Sequence, residues 1–220
     1  MYSLPLFPLN TVLFPGIPLQ LQIFEPRYRL MIRTCIDQER PFGVVLIHHG
    51  MEALGPLAEP HQVGCTARIA KVQTLPDGRM NLTALGEDRF RIVHLNNDQP
   101  YLTGEVESLP LERPHSIEIM RGVRRLGPWV SHYLKLVHQA NPSEELDLAE
   151  IDLPEDPLAL LNLAAALLQV PAAEKQPLLE SQYASQLLDQ LERLYRREAA
   201  LLRGSLQHEE PAQDHGIWLN

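Results

Sequence analysis

The chain has little cysteine and no long hydrophobic run, and each shortage excludes a class of protein. Its 220 residues include 2 cysteines, Cys35 and Cys65, which give neither a disulfide framework nor a CxxC motif. Every apolar run falls short of the roughly 18 residues that a transmembrane helix needs, and the N-terminus lacks the layout of a signal peptide. These features predict a cytoplasmic protein without a membrane segment.

Positive charge is also scarce. The formal net charge is −9 at pH 7, and Lys71, Lys135 and Lys175 are the three lysines of the chain. No region is basic, which disfavours a protein that tracks nucleic-acid phosphates. The apolar fraction of 45% and the charged fraction of 21% are ordinary for a globular protein with a packed core.

Motifs for catalysis are missing as well. The sequence contains no G-x-x-x-x-G-K-[ST] phosphate loop, and none of the lysines is placed as a base beside a nucleophilic serine. The acidic pairs Glu87-Asp88 and Glu144-Glu145 fall in predicted turns and linkers, where solvated charge explains them. The sequence therefore predicts no catalytic residue and no cofactor site, and hence a protein that is not an enzyme.

Histidines suggest a metal hypothesis. His48, His49, His61 and Cys65 are close in sequence and could converge if residues 51–60 fold back. Their spacing matches no standard zinc pattern, and consecutive side chains on a strand point to opposite faces. We therefore predict no metal site.

The N-terminal residues change from strand to helix periodicity. Pro5 and Pro8 restrict the segment Leu4–Leu9 to an edge strand or an irregular extended segment. Pro15-Gly16 predicts a turn, and alternation over 19–23 predicts a strand with one buried face. From Pro26 an amphipathic helix is predicted, with an apolar face consisting of Tyr28, Met31, Ile32, Cys35 and Ile36.

The remainder of residues 1–110 has strand character. Predicted strands cover 42–47, 61–75, 80–93 with a bend or bulge at 85–88, and 101–109, and Asp77-Gly78 marks a hairpin. Six or seven short strands with one packed helix indicate a small closed or nearly closed β-barrel. On this strand pattern Arg89 and Arg91 lie on an outward face.

Helical spacing replaces alternation after residue 110. The pattern predicts a helical bundle over 114–204, with a kink or break at Gly127-Pro128 and a helix capped by Asp156. Residues 205–220 lack periodicity and are predicted to form a flexible tail. The predicted fold class is α+β, with the barrel first and the C-terminal α-helical bundle second.

Two stretches carry a family resemblance. LPLFPLNTVLFPG followed by PLQLQIFEPRYRLMI, and later VGCTARIAKVQTLPDGRMNLTALGEDRFRIV, resemble the N-terminal, substrate-recognising domain of Lon-type ATP-dependent proteases, most closely its stand-alone form. The resemblance implies a PUA-like β-barrel followed by a helical half. It also implies a non-catalytic module that binds unfolded or degron-bearing polypeptides or a protein partner, as in a proteolysis adaptor.

Exposed apolar side chains are the expected route to polypeptide binding. The candidates are Phe14, Ile17 and Met51 on predicted loops, the groove between barrel and bundle, and the edge Leu4–Leu9, which could accept an extended peptide. Two alternatives remain open. RNA binding follows from the barrel type but conflicts with the acidic charge, and a stand-alone hydrolase lacks a nucleophile–base pair.

Overall fold

The chain folds as an α+β protein with six strands and five helices among the residues described. A computed structural model describes residues 1–50, 58–112, 117–141 and 153–209. The elements are β1 Tyr2–Leu9, β2 Pro18–Ile23, α1 Pro26–Asp37, β3 Phe42–His49, β4 Glu59–Thr74, β5 Met80–Asn96, β6 Thr103–Ser108, α2 Ile117–Ala140, α3 Pro157–Leu167, α4 Ala172–Leu179 and α5 Ala184–Glu209.

All six strands belong to one sheet. Their order is β2-β5-β4-β3-β1-β6, and β5 also pairs with β6. The strands from β5 round to β6 therefore form a closed ring of pairings. Strand β2 lies outside this ring and pairs with β5 alone among the described strands.

Strand β1 is an interior strand, so the predicted edge at Leu4–Leu9 is wrong. Its first half pairs with β6, as in Leu4 opposite Gly104, and its second half pairs in parallel with β3, as in Leu6 opposite Gly43. The pairing partner changes at the middle of β1, so each residue of the strand pairs with a single neighbouring strand. Pro5 and Pro8 therefore occupy no position that has to bond to both neighbours, and their missing N–H groups are tolerated.

The bend predicted near Gly86 is a bulge within β5. The register against β4 shifts between Cys65 opposite Arg89 and Ala67 opposite Gly86. The hydroxyl of buried Thr66 fills the bulge, since it accepts from the Asp88 N–H at 2.9 Å. Arg89 and Arg91 alternate with Phe90 and Ile92 of an apolar sheet cluster, so both lie on the opposite, outward face, as predicted. Arg89 is nevertheless buried, because the end of helix α4 covers it, whereas Arg91 is exposed.

Helix α1 packs on the sheet with the predicted face. Its buried side chains are Tyr28, Met31, Ile32 and Cys35, whereas Ile36 is 41% exposed. The first four belong to an apolar cluster with side chains of β1, β3, β4 and β5. The predicted helix is present, and four of the five side chains predicted to face inward are buried, Ile36 being the exception.

The C-terminal helices differ from prediction at two points. Helix α2 runs through Pro128 without interruption, so no break occurs there. Helix α5 continues to Glu209, so the flexible tail predicted from residue 205 is wrong for 205–209, and the rest of that tail lies outside the described residues. The predicted cap is present, because Asp156 Oδ2 accepts from the Ala159 N–H at 2.8 Å.

Helices α2, α3, α4 and α5 pack around one large apolar cluster. Two sheet-side residues, Phe14 and Val63, are buried members of this cluster. The core of the helices is therefore continuous with the sheet. None of the helices described has the length and apolar character that crossing a membrane requires.

Candidate functional site

The three side chains proposed as a polypeptide-contact surface fall in different environments. Phe14 is 1% exposed, although the prediction assumed an exposed side chain. Ile17 is half-buried between the sheet and helical clusters, and Met51 lies outside the described residues. As the molecule stands, Phe14 offers no surface to a ligand.

Backbone hydrogen bonds to Gly86 explain why Phe14 points inward. Gly16 N–H donates to the Gly86 carbonyl at 2.8 Å, and Gly86 N–H donates to the Ile17 carbonyl at 3.0 Å. A side chain at residue 86 would collide with the Phe14 carbonyl, so glycine permits this close approach. The turn is thereby held on β5, and Phe14 is directed into the helical cluster.

Strand β2 provides the free edge that sequence reasoning assigned to β1. The hydrogen bond from the Gly86 N–H to the Ile17 carbonyl determines which residues of β2 bond to β5. It makes Pro18 and Leu85 a non-hydrogen-bonded pair, and hydrogen-bonded and non-hydrogen-bonded pairs alternate along an antiparallel ladder. Leu19 and Leu21 then bond to β5, and the N–H and C=O groups of Gln20 and Gln22 point away from it. The edge therefore presents two residues with free ladder positions.

Two grooves flank this edge, and Gln20, Leu21 and Gln22 line both. The first groove has a volume of about 440 Å³ and is polar, with further lining by Lys71, Gln73, Asn81, Leu82 and Thr83. The second, called here the apolar groove because most of its further side chains are apolar, has a volume of about 280 Å³ and is also lined by Phe7, Leu9, Ile23, Phe24, Glu25 and Tyr28. The two lining sets match the alternating faces of an extended peptide.

Two further features make the β2 edge suited to a ligand. In the polar groove, the Asn81 Oδ1 atom is buried and lacks a hydrogen-bond partner within the described part of the chain. Buried acceptors normally accept a hydrogen bond, and one that does not is energetically unfavourable. A hydrogen-bond donor supplied by a ligand would therefore stabilise this atom. In the apolar groove, Phe24 is 50% exposed and offers a large apolar contact.

Glu25 lines the apolar groove and pairs with Arg27. Arg27 Nε donates to Glu25 Oε2 at 2.9 Å, and the Arg27 guanidinium lies 4.6 Å from the Tyr28 ring centre. Glu25 is the N-cap residue of α1, but its side chain makes no hydrogen bond to the helix start and pairs with Arg27 instead.

The two histidines at the end of β3 lie closer together than predicted. The Nδ1 atoms of His48 and His49 are 2.6 Å apart, so the expectation that the two rings point to opposite faces is wrong. A register shift in the β3–β4 pairing between Ile47 and His49 turns both side chains to one side. The ring centre of His61 lies 5.0 Å from that of His48, whereas Cys65 is buried in the sheet cluster.

Neither cysteine has the properties of a nucleophile. Both thiols are fully buried, and burial raises the pKa of the Cys65 thiol to about 12 and also raises the pKa of Cys35. Because the thiolate is the reactive form, both side chains are inert in the folded protein.

A family model described as the ATP-dependent protease La (LON) substrate-binding domain matches residues 3–197. Among curated proteins, the chain is 31% identical over 195 residues to a Lon protease of Methylocella silvestris, covering 87% of this chain and 23% of that protein. It is 32% identical over 182 residues to Lon protease 2 of Myxococcus xanthus, covering 81% and 21%. The chain thus spans less than a quarter of the length of these relatives.

Solved structures support the same assignment. The Lon N-terminal domain protein from Xanthomonas campestris matches with a TM-score of 0.57 at 26% identity, covering 87% of this chain and 97% of that one. The N-terminal domain of a Mycobacterium avium complex Lon protease shares the fold, with a TM-score of 0.63 at 20% identity over 89% and 98%. The family match concerns the substrate-binding domain, and no protease or ATPase domain is found.

Proposed function

We propose that this chain, which belongs to the ATP-dependent protease La (LON) substrate-binding domain family, binds extended segments of polypeptide along the free edge of β2. Membership of the family supports substrate recognition as the general role. The observation that carries the location is the unpaired edge at Gln20 and Gln22, with a polar groove on one side and an apolar groove on the other.

Strand addition accounts for the breadth of substrates that such a module has to accept. Main-chain hydrogen bonds to Gln20 and Gln22 do not depend on the sequence of the bound segment, so they supply affinity without selectivity. Alternate side chains of the segment would enter the two grooves, where Phe24 selects apolar groups and Asn81 selects a donor. The site therefore favours unfolded chains that combine polar and apolar residues.

The role we propose is non-catalytic, with delivery of bound polypeptides to a protease as its purpose. The buried thiols and the family match to a recognition domain alone support binding rather than hydrolysis. We also propose that the closed ring of strand pairings is the PUA-like barrel implied by the resemblance, and that the helices form a bundle beside it.

A proline at position 20 tests whether main-chain hydrogen bonds at the β2 edge bind the polypeptide. Pro18, two residues before Gln20 on β2, also has its backbone N position directed away from β5. A proline at position 20 therefore removes no hydrogen bond between β2 and β5. It removes an outward N–H and places a ring at the edge. We expect the Kd for fluorescein-labelled unfolded casein, measured by fluorescence anisotropy, to rise at least about tenfold, a loss of about 1.4 kcal/mol.

The matched control is Gln20→Ala, which removes the side chain and keeps the N–H. Strand addition predicts a Kd within about threefold of the unsubstituted protein for this variant. Equal binding by Gln20→Pro and the unsubstituted chain, with both folded by circular dichroism, rejects the β2 edge as the site.

The two alternative functions are tested with the same protein. Filter binding of RNA at low and physiological salt that exceeds casein binding would favour an RNA-binding protein. Cleavage of casein by the purified chain, with or without ATP, would favour a hydrolase. We expect neither.

A further inference from the structure

We propose that His48, His49 and Glu59 form a binding site for a divalent transition-metal ion of the zinc class. The three side chains lie where β3 ends and β4 begins, at a distance along the chain from the β2 edge. The proposal is independent of polypeptide binding and concerns a separate activity of the molecule.

The donor atoms of the three residues converge on one small volume. His48 and His49 Nδ1 are 2.6 Å apart, and His49 Nδ1 lies 3.9 Å from Glu59 Oε2. One ligand atom from each residue lies within 4.8 Å of the other two, which among the described residues is true of this group alone. Two ligand atoms of one tetrahedral zinc ion lie about 3.3 Å apart, so small rotations of these exposed side chains would bring the donor atoms into coordinating positions.

The backbone holds this arrangement without help from a ligand. His49 is the register partner of Glu59 across the β3–β4 pair, so their side chains start from neighbouring positions. The register shift between Ile47 and His49 brings His48 to the same side, with the two rings edge to face at 4.0 Å. Two of the three ligands are thus positioned by the sheet and the third by the bulge.

The chemistry of the donors selects the class of ion. Two imidazole nitrogens and one carboxylate oxygen suit zinc and its transition-metal neighbours, whereas calcium and magnesium prefer oxygen ligands throughout. Three protein ligands leave at least one coordination position open. An open groove of about 590 Å³, lined in part by His48, Glu59 and His61, leaves room there for water or an exchangeable ligand.

His61 lies beside the site but outside the ligand set. Its ring packs edge to face against that of His48, but its Nδ1 atom lies 3.8 Å from Glu180 Oε1 at the end of helix α4. This makes His61 a useful neighbour for comparison, since it carries the same donor group in the same groove without converging on the ion.

Isothermal titration of the full chain with zinc chloride tests the site directly. We expect the His48→Ala, His49→Ala double variant to bind one equivalent of zinc fewer than the unsubstituted chain. In Glu59→Gln, we expect the affinity of the chain for zinc to fall at least about tenfold. With cobalt chloride as probe, visible d–d absorption bands should appear in the unsubstituted chain and be absent from the double variant.

Two single variants serve as controls. His61→Ala should change the zinc affinity by less than about threefold. His94→Ala, at an exposed residue of β5, should leave the zinc affinity unchanged. All the substituted side chains except His61 are well exposed, so circular dichroism should report an unchanged fold. A double variant that keeps the full zinc stoichiometry and affinity overturns the site. A Glu59→Gln variant identical to the unsubstituted chain overturns the three-ligand assignment.

Discussion

Every buried side chain in the two apolar clusters of the sheet region, residues 1–112, comes from that region itself, whereas the cluster among the helices includes Phe14 and Val63 from the sheet. The helical region, residues 117–209, thus completes its core with side chains that it does not encode. The sheet region has no such dependence in its own two clusters.

Polar contacts between the two regions, in contrast, run in both directions. Arg89 Nη1 donates to the carbonyls of Leu179 at 2.7 Å and Ser181 at 2.6 Å, at the end of helix α4. Gln176 Nε2 donates to the Val63 carbonyl at 3.0 Å. Desolvation lowers the pKa of Arg89, and the negative end of the helix dipole compensates in part for burying the cation. The comparison teaches that the apolar core of the helices needs side chains of the sheet region, whereas the two apolar clusters of the sheet need none from the helices.

Thermodynamic coupling between the regions can be followed with two probes. Ellipticity at 222 nm reports mainly on the helices. Labelling of Cys35 and Cys65 by a thiol reagent reports on the sheet core, because both thiols are fully buried and unreactive until it opens. Urea titrations read with both probes reveal whether the regions unfold together.

The largest effect is expected for Phe14→Ala, which attacks the connection between the two cores. Loss of a fully buried aromatic side chain should lower the free energy of unfolding by about 3–5 kcal/mol. Because Phe14 is held on β5 by Gly86 and packs among the helices, both probes should shift to lower urea together.

Ile17→Ala is the matched control, since Ile17 lies on the same turn and is half-buried. Its effect should be less than half that of Phe14→Ala. A Phe14→Ala variant whose thiol labelling is unchanged would show that Phe14 serves the helices alone, and the two cores would then not be coupled through this residue.

A smaller effect is expected for Arg89→Met, which removes the polar connection and keeps much of the side-chain volume. Two carbonyls at the end of α4 lose a charged donor, which should lower the free energy of unfolding by about 2–3 kcal/mol. The loss is partly offset, because the variant no longer has to bury a cation. We expect ellipticity to be lost at lower urea than thiol protection, so that the transitions separate.

Arg68→Met on the adjacent strand provides the same substitution at an exposed position. Arg68 pairs with Glu87 at 2.7 Å, but its side chain is 55% exposed, so the change should cost less than about 1 kcal/mol. Equal destabilisation by the two variants would show that Arg89 contributes nothing specific to the junction.

Much of the fold was predictable from residue periodicity. Alternation located the strands, and the spacing of Tyr28, Met31, Ile32 and Cys35 located α1 and its buried face. These patterns are local, because each depends on neighbours within one or two turns of the chain. The family resemblance, carried by the same stretches, was confirmed for the same reason.

Apart from the continuation of helix α5 to Glu209, the errors concern residues whose environment depends on a distant partner. A proline-containing strand was expected at an edge, but β1 changes partners between β6 and β3. His48 was assigned to the wrong face because a one-residue shift of register reverses the side chain at that position. Arg89 lies on its predicted face but is buried, because the end of helix α4 covers it. Phe14 was expected at the surface because nothing near it in sequence reveals the helices on which it packs. The β2 edge was missed since an unpaired edge is a property of the whole sheet.

The smallest effect is expected within the helical region, for Tyr195→Phe. The Tyr195 hydroxyl donates to the Ala164 carbonyl at 2.8 Å, and burial raises its pKa so that it remains a donor. Losing this hydrogen bond should cost about 1 kcal/mol, whereas Tyr183→Phe, at a residue 44% exposed, should cost almost nothing. If the helices can open while the sheet stays closed, Tyr195→Phe shifts the ellipticity transition and leaves thiol protection unchanged. If thiol protection falls by the same amount, the chain unfolds as one cooperative unit, and the self-contained core of the sheet gives it no stability of its own once the helices are lost.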